Sequence, residues 1–283
     1  MYAITGITGQ VGGMVARTLL DAGLPVRAVL RDAAKAPAWA ARGCEIALAE
    51  MTDTAALTAA FTGAEGVFIL IPPNFDPVPG FPEIRAIIAA LTTALTAARP
   101  GRIVCLSTIG AQATQPNLLT QLGLVEQALG ALPLPVCFLR AAWFMENAAW
   151  DVAPAREGVV PSFLQPLDKP VPMVATADIG ALAAKLLQED LTGRRVVELE
   201  GPHRATPNEV AAAFTKILGH EVRMELVPRA SWESLFVLQG MRNPTPRARM
   251  LDGFNEGWIE FEGTALKGET DIETVLRQLV APA

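Results

Sequence analysis

Apolar residues in this chain fall into short continuous runs, separated by stretches in which they recur at helical spacing. Tyr2-Ala3-Ile4, Pro25 to Leu30, Cys44 to Ala49, Gly66 to Ile71, Arg102 to Leu106 and Val136 to Arg140 read as strands. The run from Gly66 lacks alternation, as expected of a strand covered on both faces. Between them, Met14, Val15, Leu19 and Leu20, and the segments 54–61, 83–98 and 118–129, follow the helical period. Regular alternation of strand and helix predicts an α/β fold built on a doubly wound parallel sheet. Beyond Arg140 the rhythm breaks. A proline-spaced stretch over 154–172 holds short extended pieces, and helix 177–188 and strand 196–199 return to the sheet. Helix 207–218, strand 221–227, helix 231–240 and helix 272–280 complete the chain. The expected organisation is a core over 1–152, rejoined by 174–200, with a smaller α+β lobe over 153–173 and 201–283.

The turn out of the first strand reads Thr5-Gly6-Ile7-Thr8-Gly9-Gln10-Val11-Gly12, a GxxGxxG spacing. Gly6 suits a sharp turn, Gly9 a close backbone approach to a pyrophosphate, and Gly12 close packing of helix on strand. The helix then starts with unpaired N–H groups facing an anion. A core of this kind is a Rossmann-type dinucleotide site, and a glycine-rich turn that binds nothing is the alternative. The second strand ends at Arg31-Asp32, with Lys35 one turn on. An acid there suits the ribose of NAD, and an arginine the 2′-phosphate of NADP. Arg31 and Lys35 therefore predict NADP(H), with NAD(H) as the second cofactor and a solvated charged loop as the structural alternative.

Three stretches are candidates for substrate contact. The proline-rich segment 74–82 begins at the C-terminal end of a strand, where open α/β sheets bind ligands, and either offers Asn74 and Asp76 or is a plain connecting loop. Trp143, Phe144 and Met145 form either a platform for a flat substrate or ordinary packing between sheet and lobe. Asn255 and Trp258 lie in a stretch from Met250 that places acids, an amide and aromatics together, as substrate contacts or as capping and solvated residues.

Composition narrows the function classes. A formal net charge of −6 without a basic stripe argues against nucleic acid. The absence of a run of eighteen apolar residues argues against a transmembrane helix, and the start in a strand against a signal peptide. The expectation is a cytoplasmic protein. Cys44, Cys105 and Cys137, widely spaced in apolar runs, read as buried hydrophobes, and neither they nor His203 and His220 form a metal pattern.

TGITGQVGG at the N-terminus, VLRDAAK after the second strand, LSTIGA at the fifth and FLRAAWFMENAAW after the sixth resemble, in that order, the NmrA-like group of atypical short-chain dehydrogenases/reductases. The resemblance implies an NAD(P)-binding Rossmann domain with a small C-terminal substrate lobe. It also implies membership of a group that spans quinone, dye and isoflavone-type reductases and cofactor-sensing regulators. It places Gly6, Gly9 and Gly12 at the pyrophosphate with backbone from Thr8, Gln10 and Val11, Arg31 and Lys35 at the 2′-phosphate, and Glu50-Met51 beside adenine. Ile71-Pro72 and Ser107-Thr108 would line ribose and nicotinamide, and Trp143 to Asn147 would flank the nicotinamide ring. The usual short-chain dehydrogenase dyad, a Tyr and a Lys four residues on, falls on Leu118 and Leu122 when the chain is aligned on Glu126. The only tyrosine is Tyr2, so Thr108 or a water is left as the local hydrogen-bond donor. The function implied is an NADPH-dependent oxidoreductase of a small hydrophobic, aromatic or quinone-like acceptor. The alternatives are a non-catalytic NADP(H) sensor acting through a protein partner and an isomerase with a permanently held cofactor. A small-molecule substrate is the expected partner, with room for a homodimer or a protein partner.

Overall fold

Tyr2–Ile4 (β1) lies fully buried between two parallel neighbours, with Ala3 opposite Arg27 on one side and Val67 on the other. The computed structural model describes residues 1–281. The sheet contains Val26–Leu30 (β2), Glu45–Leu48 (β3), Gly66–Ile69 (β4), Arg102–Thr108 (β5) and Val136–Ala141 (β6). Trp143–Phe144 (β7), Val159–Ser162 (β8) and Met173–Val174 (β9) lie outside it, and Arg194–Glu200 (β10) returns to it. Arg223–Leu226 (β11) pairs with β8, and Leu266–Lys267 (β12) closes the sheet edge. The order is β12-β10-β6-β5-β4-β1-β2-β3, all parallel, with the chain reversing direction across the sheet at β1 and β4.

Helices cover both faces because the strands are apolar on both. Gln10–Asp21 (α1) carries Val11, Val15, Ala16 and Leu19 on its buried side and lies with Thr176–Leu186 (α7) on one face. Thr54–Phe61 (α3), Pro82–Ala98 (α4) and Thr120–Gly130 (α5) cover the other, over Phe68's neighbours Val67 and Ile69. The short Ala36–Ala40 (α2) buries Trp39 beside β2 and β3. A third apolar core lies off the sheet. It joins Met145 and Ala148 to Val152–Arg156 (α6), Pro207–Leu218 (α8), Trp232–Leu238 (α9), Thr245–Glu256 (α10) and Ile272–Val280 (α11) around Phe214, Trp232 and Phe236.

The structure departs from the sequence reading in three places. The stretch from Met250 to Glu256 belongs to a helix, α10, whose start is masked by Pro244 and Pro246 although proline is tolerated in a first helical turn. Leu266–Lys267, expected in the lobe, is a two-residue strand on the main sheet, too short and too exposed to leave a pattern. The strand expected over Gly66 to Ile71 ends at Ile69, because Leu70 N–H goes to the Thr5 hydroxyl at 2.8 Å instead of continuing the ladder.

No helix among the described residues is long and apolar enough to cross a membrane. All three cysteines are free and buried; burial raises the pKa of Cys44 and Cys105 and pushes that of Cys137 up to about 12. They are held as thiols, as small buried hydrophobes should be.

Candidate functional site

The crevice where β1 and β4 part is built by one hydroxyl. Thr5, buried at the end of β1, donates to Phe68 O at 3.1 Å and receives Leu70 N–H, so the two strands splay without an orphaned backbone group. Gly6 then takes φ +64°, which turns the chain back, and Gly9 N–H closes the loop on Gly6 O at 3.0 Å. A Cβ on Gly12 would stand 2.4 Å from Gly6 O, so the helix approaches the turn as only glycine permits. Thr8, Gly9 and Gln10 are exposed at the tip, while Val11 and Gly12 are buried behind it. Gly9 N-caps α1 without a side-chain cap, and the first turn holds no acid. The first N–H groups of a 12-residue helix therefore carry a partial positive charge at the crevice, with no carboxylate in the helix's own first turn to absorb it.

At the end of β2, Asp32 accepts from Ala34 N–H at 3.0 Å and caps a short 3₁₀ turn over Ala33–Lys35. This local bond commits the acid, while Arg31 and Lys35 are exposed and make no ion pair among the described residues. Glu50 is exposed and Met51 half-buried at the end of β3, just before Asp53 caps α3. Ile71 packs partly on the core, and Pro72 is exposed after β4.

Ser107 and Thr108 end β5 on opposite faces. Ser107 is buried and donates to Glu126 Oε1 at 2.6 Å; Glu126 also takes Arg140 Nε at 2.9 Å and Arg140 Nη2 at 2.7 Å. Arg140 reaches on to Glu262 and, at 3.7 Å, to Glu198, whose carboxylate accepts from Glu262 and Gly263 N–H. Burial works against the charge of Arg140, but its hydrogen bonds with Glu126 and Glu262 hold its pKa above the ordinary arginine range. The Ser107 hydroxyl thus belongs to a buried network that ties β5, α5, β6 and the segment around Glu262 together. Thr108 is half-buried at the sheet edge and bonds only to the carbonyl of Ile109, at 3.2 Å.

The mouth of the cleft is closed by a ring of hydrogen bonds between three segments. Gln121 donates to Asn74 O at 3.0 Å and to Leu118 O at 3.2 Å, and Leu118 N–H donates to Pro246 O at 2.9 Å. Asp76 spans the gap to the lobe and takes Arg242 N–H at 2.9 Å and Asn243 N–H at 2.7 Å. Both Asp76 oxygens therefore face lobe backbone. Asn74 likewise spends its side chain on Asp76 N–H, at 3.1 Å. Asn255 accepts from Gln165 N–H and donates to Phe163 O, both at 2.9 Å, and so straps the 163–165 loop to α10.

Trp143 meets Phe254 of α10 edge-on, with ring centroids 5.3 Å apart, and bridges the sheet edge to the lobe core. Phe144 packs on the sheet core, Met145 is buried in the lobe core and Asn147 is exposed. Between them in sequence, Glu146 accepts from Thr176 N–H and Oγ1 and anchors the start of α7. Trp258 donates to Glu256 at 2.8 Å and lies under Arg249. Leu118 is buried and Leu122 packs on the sheet core, so apolar contact occupies the two dyad positions. Tyr2 Oη bonds Glu65 at 2.9 Å beside the first residue of β4, at the opposite end of the strands from the crevice.

A model of the NmrA-like family matches residues 2–251. The chain belongs to the NmrA-like family. It is 32% identical over 225 residues to an NAD(P)H azoreductase of Xenophilus azovorans, a match covering 79% of this chain and 76% of the relative. Among solved structures, the NADPH-dependent quinone oxidoreductase of Escherichia coli in complex with NADPH is 28% identical, with a TM-score of 0.76 over 99% of this chain and 94% of that one. The triphenylmethane reductase of Citrobacter sp. complexed with NADP(H) has a TM-score of 0.82 over 98% of this chain and 99% of that one; at 22% identity it speaks for the fold alone. In this NmrA-like chain, Thr5, Gln121 and the Glu126–Arg140 pair shape the cleft without having been singled out as site residues. Their signal is topological: each becomes legible only when strands distant in sequence are placed side by side.

Proposed function

We propose that this NmrA-like protein is an NADPH-dependent reductase of conjugated aromatic or quinone-like acceptors. The observation that carries the reading is the pairing of an anion-seeking glycine turn with apolar residues at both dyad positions. The turn fits a pyrophosphate because Gly12 brings α1 onto Gly6 and leaves Thr8, Gly9 and Gln10 at an exposed tip at the start of α1. Asp32 is committed as a cap, so Arg31 and Lys35 are the groups left to take a 2′-phosphate, with Glu50 and Met51 beside adenine. When bound, the nicotinamide supplies a hydride.

The chain's own contribution is to orient and to exclude water. Ile71, Pro72 and Thr108 line the strand ends, Ser107 is locked from behind by Glu126, and Trp143 with Phe254 offers an aromatic wall. Thr108 Oγ1 is the hydroxyl there that could serve a developing negative oxygen or nitrogen, by turning its proton away from the Ile109 carbonyl that it meets at 3.2 Å. A positioned general acid is worth about 10²–10⁴-fold, whereas alignment of donor and acceptor supplies effective molarities of about 10⁵–10⁸ M. Loss of the Tyr-Lys pair therefore disfavours plain ketones and leaves acceptors that take hydride first and a solvent proton afterwards. The relatives named as azo and quinone reductases act on acceptors of that kind.

The test is NADPH oxidation with a panel of quinones, azo compounds and enones, beside cyclohexanone. The expected result is turnover of at least one conjugated acceptor, none of the plain ketone, and loss of activity in Gly9→Val. Reduction of the ketone at a comparable rate, or no oxidation with any member, overturns the proposal.

A further inference from the structure

Between β4 and α4 the chain runs through Pro72, Pro73, Pro77 and Pro79 to Pro82, the first residue of α4. Each proline fixes its own φ and removes an N–H donor, so this segment is stiff and joins no ladder. Its two ends are built differently. At the start, Leu70 N–H is held by the Thr5 hydroxyl at 2.8 Å, in the wall of the crevice. At the finish, Gly80 and Phe81 take left-handed φ values of +82° and +57° in succession. A bulky aromatic residue rarely adopts that conformation, so Phe81 concentrates backbone strain at one point. A swing of the stiff segment therefore pivots at Gly80–Phe81.

The middle of the segment is held by bonds that water can replace. Gln121 Nε2 donates to Asn74 O at 3.0 Å, and the N–H groups of Arg242 and Asn243 donate to Asp76 at 2.9 and 2.7 Å. Pro77 is buried, but Phe75 and Val78 are 57% and 46% exposed, so lifting this stretch uncovers little apolar surface. The segment leaves β4 through Ile71 and Pro72 and meets the lobe at residues 242–243, close in sequence to Pro246, whose carbonyl takes Leu118 N–H. It thus spans the mouth between the strand ends and the lobe. We propose that residues 72–81 form a hinged flap: it pivots at Gly80–Phe81, Asp76 latches it to the lobe, and its opening admits and releases the acceptor. This inference rests on the reductase reading for its ligand and adds the step that governs access. The latch grips the backbone that leads into α10, so it is set by the position of the helix that carries Phe254.

The experiment follows binding of 9,10-phenanthrenequinone to the NADP⁺-loaded protein by stopped-flow tryptophan quenching, in wild type, Asp76→Ala, Asp76→Asn and, as a control on β11, Arg223→Gln. A latch that closes the free and the bound protein alike changes both rates and leaves their ratio. Association and dissociation should therefore both rise by about tenfold to a hundredfold in Asp76→Ala, the span of one charge-assisted hydrogen bond, with Kd held within about twofold. Asp76→Asn keeps one acceptor oxygen and should fall between, and Arg223→Gln should match wild type. Rates indifferent to Asp76, or a change confined to one of them, overturn the inference, since a ligand contact or a merely structural tie would alter affinity instead. The expected rate pattern without NADPH oxidation upholds the flap and refutes the reductase reading, and turnover with rates indifferent to Asp76 does the reverse. No binding to wild type removes the inference, and the acceptor panel then decides the reading alone.

Discussion

Asp76, on the proline-rich loop after β4, accepts the N–H of Asn243 at 2.7 Å across 167 positions of sequence and so joins the core to the lobe at the cleft mouth. The N–H groups of Arg242 and Asn243 hold the Asp76 carboxyl below its ordinary range. A carboxyl whose folded pKa is depressed stabilises above its unfolded pKa and loses that stabilisation as pH falls through the folded one. The tie should therefore be indifferent to pH between 5 and 8, and break below about pH 4. Hydrogen exchange of the two amides checks this: protection should be flat over the neutral range, and about tenfold weaker in Asp76→Ala. Equal protection in the variant would show that the contact holds nothing.

Cofactor choice should rest on Arg31 and Lys35. Replacing both with alanine should weaken NADPH by about 10²–10⁴-fold, since each of the two charge-assisted bonds to phosphate is worth about 1.5–3 kcal/mol, and leave NADH unchanged. Asp32→Ala should not improve NADH binding, because the side chain serves the 3₁₀ turn. Calorimetric titration of the variants with both cofactors measures each arm, and parallel losses for NADPH and NADH would remove the assignment.

The sheet was legible because its strands are buried on both faces and so leave unbroken apolar runs, and because Gly6 and Gly12 are demanded by a left-handed turn and by a close approach to Gly6 O. The ends of the chain's local patterns also held: helix 272–280 is set by its periodicity and the Asp271 cap. What escaped was whatever depends on partners distant in sequence. Asp76 and Asn255 have the composition of ligand contacts, yet their oxygens meet backbone 166 and 90 residues away. Helix α10 hid behind two prolines and a glycine, each of which disfavours helix locally, and is held by Phe254, Leu251 and Ala248 in the lobe core.

Glu126 and Arg140 are each only 3% exposed and share two hydrogen bonds. Removing one partner of such a pair typically costs about 3–5 kcal/mol, since the other stays buried and charged. Glu126→Leu and Arg140→Met should each lower the melting temperature by roughly 6–20 °C, at about 2–4 °C per kcal/mol for a chain of this size. The double variant should recover part of the loss, and thermal unfolding of the four proteins reads the coupling. Additive losses would mean that the pair is not a unit.

Asp151 follows the 145–150 turn and makes no side-chain hydrogen bond at the start of α6. Burial alone pushes its pKa up to about 7. Its unfolded value is about 3.9, so the folded protein holds the proton more tightly. The sign is opposite to that of Asp76: the folded state carries no penalty below about pH 4, and the cost of a buried charge grows until the pH passes the folded pKa. Wild-type stability should thus decline from pH 5 to pH 8 relative to Asp151→Asn, by about 1–3 kcal/mol once solvent screening is allowed for. Denaturant midpoints of both proteins across that range provide the comparison. Parallel curves would mean that Asp151 ionises freely and that the α6 start is open to water; convergence below about pH 4 with a gap that widens up to about pH 7 and then levels off is the expected result.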